Sequence, residues 1–257
     1  MTSITQNKLK KIIIAIIWII IWQILASLIN EEILLPSPLV VFNRFLQLIR
    51  EKEFYISLFN STSKILFGFV ISIIGGIFLA YFSYKVNFFY DFINPIIRIL
   101  RSTPIASIVL FLLFWINKKY LSIYIGFIMA MPIIFQNIYT GLNTIDKKLL
   151  QMADIYQIGE LKKIKYIYRV KIKPFLSSSL ITISGLIFKA GVSAELIAIT
   201  DNSIGKNLYN SKIYLDMPSL FAWTISIILI AIFVEKLLRH FLEAKDDWIC
   251  KCWQKLR

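Results

Sequence analysis

The residues with the most chemical potential are four charges set in long apolar runs: Arg98, Arg101, Lys189 and Glu195. A charge in such a run is costly unless it faces a protein interior, a wet cavity or a partner. Arg98 and Arg101 stand one helical turn apart and share a face. Counted from Asp91 at about 1.5 Å per residue, Arg98 lies roughly 10 Å along, within reach of the headgroups, while Arg101 lies roughly 15 Å along. Arg101 is therefore expected to face the interior of a helix bundle or a cavity. Lys189 and Glu195 would be about 120° apart around one helix, so they are not a same-helix ion pair. Glu195, roughly 31 Å beyond Pro174, can reach the outer interface; Lys189, at roughly 22 Å, needs a partner or a wet path. Three cations against one acid would make a pathway attractive to anions.

Other chemistries lack their parts. The only histidine is His240, in the basic tail, so zinc-dependent intramembrane catalysis is excluded and no metal or cofactor is expected. Gly205-Lys206 runs into Asn207 and has no glycine at the step a phosphate-binding loop requires, so the chain does not bind nucleotide that way. Lys189 with Ser193 is the one conceivable dyad, and Ser177, Ser178 and Ser179 read as helix packing. Cys250 and Cys252 are too close for an unstrained mutual disulfide and too few for a zinc site. The chain is not expected to be an enzyme.

These charges sit in a sequence that is 58% hydrophobic and 17% charged, with a mean hydropathy of +0.70. A soluble fold would have too little polar surface to cover such a mass, and long unbroken apolar runs choose helices over a barrel. The expectation is an all-α integral membrane protein, a single domain over 1–257. Its six spans would cover 12–29, 65–84, 92–115, 120–139, 174–200 and 217–234. The first is read as a retained span, since no small-residue cleavage site follows it. Pro36 and Pro38 break the chain before a short amphipathic helix in VVFNRFLQLIREKEF, and Pro95 and Pro104 are expected kinks in the third span. With the N-terminus inside, inner segments carry 18 Lys and Arg against 8 in outer ones, which places both termini in the cytoplasm. The net charge of +14 then reflects loops facing anionic lipid, with no nucleic-acid partner.

Residues 146–173 interrupt the apolar runs and hold eight basic residues. Leu149, Leu150, Met152, Ala153 and Tyr156 recur at helical steps, giving an amphipathic helix suited to a membrane surface or a partner's groove.

The order of segments resembles the inner-membrane permease subunits of binding-protein-dependent ABC importers, of the nitrate/sulfonate/taurine type. The resemblance runs from about Leu34 to Leu242. It is carried by LLPSPLVVF (34–42), by Ser61, Lys64, Leu66, Gly68 and Phe69, and by Gly75-Gly76. It continues in NPIIRILRSTPIASIVLFLLFW (94–115), Gly141, Asp146 and AGVSAELI (190–197). In that family the loop after the fourth of these spans carries a coupling helix, E-A-A-x-x-x-G, that docks into the ATPase subunit. Aligned on Pro174, Gln151, Met152 and Ala153 fall on E-A-A, Gln157 on the glycine, Ile167 on an isoleucine and Arg169-Val170 on a Leu-Pro pair. Only Ala153, Ile167 and Pro174 keep the residue types, and Gly159 comes two positions late.

The resemblance implies a cell-membrane permease, likewise dimeric and as a homodimer, that pairs with two cytoplasmic ATPase subunits and receives solute from an extracytoplasmic binding protein. It would move a small anionic solute by alternating access. ATPase coupling would fall to Leu149, Leu150, Gln151, Met152, Ala153, Tyr156 and Gln157, and the substrate path to Arg98, Arg101, Lys189 and Glu195. The alternative from another class is a stand-alone secondary carrier, for which internal repeats with matching broken helices would be expected; the two halves of the chain do not look alike.

Overall fold

The computed structural model describes the backbone of residues 2–254 and the side chains of 9, 10 and 12–242; the side chains of Cys250 and Cys252 lie outside the described set. Among the described residues every regular element is helical. The chain begins with α1 (Thr2–Ile29), whose apolar half leans on the rest only lightly, through Trp22 stacked on Phe221 at 5.7 Å and bonded to the Pro36 carbonyl at 3.1 Å. After the LLPSP break, Ser37 caps α2 (Pro38–Arg50) by accepting from the Val40 N–H, and Pro38 occupies the first turn, where a missing N–H costs nothing.

Three long helices form the centre: α3 (Lys52–Lys85), α6 (Leu121–Asn143) and α9 (Arg169–Ala198). Ile65, Ile134, Phe135, Ile138, Ile187 and Phe188 are sealed between them. Glycines bring the backbones close. A Cβ on Gly68 would collide with the Ile123 carbonyl oxygen, one on Gly76 would lie 2.7 Å from Ile134, and one on Gly191 would lie 2.5 Å from Ile65. In an apolar solvent, where burial alone does not hold helices together, such backbone approach supplies the packing.

Between α3 and α6 the sequence reads as one span over 92–115, but the chain forms α4 (Asn87–Ser102) and α5 (Ile105–Leu113), bent by 103°. The break falls at Thr103-Pro104. Proline disfavours the helical conformation in the residue before it, and Thr103 is extended at φ −76°, ψ 131°. Pro95, also expected to kink, sits inside α4 without ending it.

The second difference concerns the polar interruption. Only α7 (Lys147–Ile155) and a short turn stand clear of the long helices. From α8 (Glu160–Lys163) the chain continues through a π-helical turn, Ile164–Tyr168, into α9, so Pro174 lies within a helix and does not open one. Lys162, Lys165, Arg169 and Lys171 are exposed around this rod. A helix that has left an apolar environment needs no apolar face, so its sequence looks like a loop. Beyond α9 come α10 (Ile204–Ile213) and the closing α11 (Met217–Gln254). Five helices are long and apolar enough to cross a membrane, six if the bent pair α4–α5 counts as one span.

The bundle has two ends. One, the head, gathers the start of α3, the turn before α6, the end of α9 and all of α10. The other, the foot, gathers Lys85 at the end of α3 with α7 and α8. From Ser61 to Lys85 along α3 the two are separated by about 36 Å.

Candidate functional site

At the head, α9 delivers Glu195 into the core, where it is 0% exposed. Its carboxylate accepts from Ser61 Oγ of α3 at 2.6 Å, from Ser122 Oγ of α6 at 2.9 Å and from the Gly205 N–H of α10 at 3.4 Å. Ser61 Oγ in turn accepts from the Ile204 N–H at 2.9 Å. The carboxylate thus sits at the N-terminus of α10, where unpaired N–H groups and the helix dipole favour negative charge. Position 205 must be glycine, because a Cβ there would strike Glu195 Cβ and the backbone of Leu196. Four elements meet on one carboxyl group.

Directly beside this node is a cleft of about 480 Å³, lined by Asn60, Lys64, Asn117, Lys118, Lys119, Thr200, Asp201 and Asn202. Asn60, Ser61 and Lys64 lie within one helical turn of α3, so the node and the cleft share a face of that helix. Asp201 bridges Lys118 at 2.9 Å and Lys206 at 2.6 Å. Those two ammonium groups hold its carboxyl down at a pKa of about 2.

At the foot, Asp146 caps α7 by accepting from the Lys148 N–H at 2.8 Å. The stripe read as one apolar face is divided: Leu150 and Ala153 turn inward, while Leu149, Met152 and Tyr156 are exposed, Tyr156 to 74%. Gln151 and Gln157 are exposed as well. The helix ends as the Ile158 N–H reaches the Ala153 carbonyl at 2.8 Å and the Gln157 N–H the Asp154 carbonyl at 2.9 Å, with Gln157 at φ 52°. This is the closure in which glycine is usual. Lys163, almost buried, then pairs with Asp154 and with Glu160 at 3.2 Å, and Glu160 takes Lys85 at 3.0 Å. Asp154, Lys163, Glu160 and Lys85 form a ladder from α7 to the end of α3.

The remaining charged candidates are not drawn together. Arg98 and Arg101 are exposed on α4, Arg101 just ahead of the break. Lys189 is exposed on α9 and makes no contact with Glu195, which is buried and does not reach outward as its position along the span suggested. His240 is exposed on α11.

A model of the family described as binding-protein-dependent transport system inner membrane component matches residues 72–245. The chain belongs to that family. This permease is 20% identical over 228 residues to a probable ABC transporter permease protein of Brucella melitensis, covering 88% of this chain and 92% of that one. It is 26% identical over 192 residues to a nitrate import permease protein of a Synechocystis species, covering 70% and 68%. Among solved structures it is similar to a bacterial ABC transporter involved in the import of the acidic polysaccharide alginate, at a TM-score of 0.64 and 16% identity, over 94% of this chain and 97% of that one. It also resembles the inward-facing MetNI methionine ABC transporter, at a TM-score of 0.56 and 13% identity, over 74% and 93%. These last two show the fold. The chain is thus an ABC importer permease, a membrane component distinct from the ATPase, and its family implies ATPase and substrate-binding partners.

Sequence reasoning missed Ser61, Ser122 and Gly205 as partners of Glu195, and Lys64 and Lys119 as neighbours in one cleft. A serine on an apolar helix reads as packing, and nothing in the spacing of 61, 122, 195 and 205 announces that they meet. The one usable signal was Gly205, a glycine in an otherwise polar turn.

Proposed function

We propose that this permease moves a small anionic solute into the cytoplasm by alternating access, driven by two ATPase subunits that dock on α7. The observation that carries this reading is the foot. There a short capped helix leaves Leu149, Met152 and Tyr156 uncovered beside a charge ladder that joins it to the central helices. Exposed apolar side chains on a helix fit a partner's groove, and the ladder gives movement of α7 a stiff connection to α3 and α9. Gln157 adopts the left-handed conformation at the position where the motif's glycine aligns, which supports the register Gln151–Gln157.

In this reading the foot and both termini face the cytoplasm, the head faces outward, and two copies of the chain form the pathway. Arg98, Arg101 and Lys189, exposed on one chain, line the path between the copies, while Glu195 holds its wall from inside. The similarity to a nitrate import permease supports an anionic solute, as do the cations. The test is co-purification of the detergent-solubilised chain with the ATPase, scored by ATP hydrolysis, with residues 151–157 intact or replaced by a Gly/Ser linker. The ATPase is expected to be lost only from the replaced chain. If none associates with the intact chain, the reading fails.

A further inference from the structure

Three segments far apart in sequence build the walls of the cleft at the head, and hydrogen bonds fix each wall to another. Thr200 Oγ1 donates to the Lys118 carbonyl at 3.1 Å, Asn60 Nδ2 to the Asn202 carbonyl at 3.2 Å, and the Lys119 N–H to Asn117 Oδ1 at 3.0 Å. The space is therefore held open by the fold, not by flexible side chains. Its charge is one-sided. Three lysines line it against a single acid, Asp201, whose carboxylate is already shared between Lys118 and Lys206. Lys119 has only the ring of Tyr120, at 5.7 Å, and Lys64 makes no direct ion pair among the described residues, the buried Glu195 attracting it only across space. Lys64 is partly buried in the wall, where an ammonium group without a direct ion pair is less well solvated than in open water and gains from an anion.

We propose that this cleft binds a small oxyanion, held by the ammonium groups of Lys64 and Lys119, with the side-chain amide of Asn117 as a further donor. The bound group is either an inorganic oxyanion or the sulfonate end of a small organic solute; ammonium groups serve both as point charges. A small ligand suits the site better than an acidic protein surface, because Lys64 is only partly exposed in the cleft wall. The proposal rests on the transport reading for its outward position: the cleft would be where solute is received before it enters the path.

The experiment measures the melting temperature of the full chain in detergent by tryptophan emission, titrating nitrate or methanesulfonate against chloride at constant ionic strength. A saturable rise with one of the two is expected, and which one identifies the source. Lys64→Gln with Lys119→Gln should raise the half-maximal concentration about tenfold or more. Lys64→Arg, which keeps the charge, should retain binding even if the double variant folds poorly, and Lys212→Gln, outside the cleft, should leave the titration unchanged. No saturable rise in the parent chain overturns the proposal, as does an equal rise in the double variant. If neither anion binds but poly-glutamate binds and is lost in the double variant, the surface docks acidic protein and the proposal falls. Because no ATPase takes part, failure here with ATPase still co-purifying leaves the transport reading standing.

Discussion

Each end of the bundle closes on one buried ionisable side chain, and the two are built oppositely. Glu195 at the head is surrounded by neutral donors, two hydroxyls and an amide N–H, with no cation in direct contact among the described residues. Lys163 at the foot is held by two carboxylates, Asp154 and Glu160, which are themselves mostly in solvent. Removing Glu195 would strand polar groups inside the protein, whereas removing Lys163 would leave its partners in water. The head is thus expected to act as a fixed joint between four elements, and the foot as a connection that breaks without unfolding the bundle. The alternating access proposed above would use that asymmetry.

The largest effect should come from Glu195→Ala. Leaving Ser61, Ser122 and the α10 N-terminus without their acceptor is expected to cost about 3 kcal/mol or more, read as a lower melting temperature in detergent, with Glu195→Gln intermediate. Lys163→Met should lower the melting temperature far less yet reduce ATPase association or stimulation. A loss of stability equal to that of Glu195→Ala would erase the contrast between the ends. Gln157→Gly should stabilise the foot by about 1 kcal/mol, because the residue already occupies the left-handed region that costs a side chain energy; tighter ATPase binding or slower proteolysis after α7 would register it.

The smallest effect is in pH. Asp201 has its pKa lowered to about 2 by Lys206 and Lys118, against an unfolded value of about 3.9. A depressed carboxyl contributes stability above its unfolded pKa and loses it as pH falls through the folded one. The melting temperature of the native chain should therefore approach that of Asp201→Asn between about pH 4 and pH 2, and equal curves at neutral pH would show that the bridge contributes nothing.

Some of this was written in the sequence and some was not. The apolar runs named the helices long and apolar enough to cross, and the amphipathic pattern named the short helix that forms as α7, because both depend on neighbours along the chain. The break at Thr103-Pro104 was visible as a proline, but Pro95 was equally visible and does nothing comparable. Which proline breaks a helix depends on what packs around it. The rod from Glu160 into α9 was hidden for a simpler reason: a solvated helix and a polar loop share a composition.

What the sequence determined alone is the class of solvent each segment meets and, from that, a helical membrane protein with one polar platform. Local rules suffice there, since a backbone in hydrocarbon must bond to itself. Only the tertiary structure decided which charges act together. It left Lys189 exposed on α9 and sank Glu195 into the core. It joined Glu195 to Ser61, Ser122 and Gly205 from three other helices, and collected Lys64 and Lys119 into one cleft. Electrostatics acts through distances across space, and helix packing alone sets those.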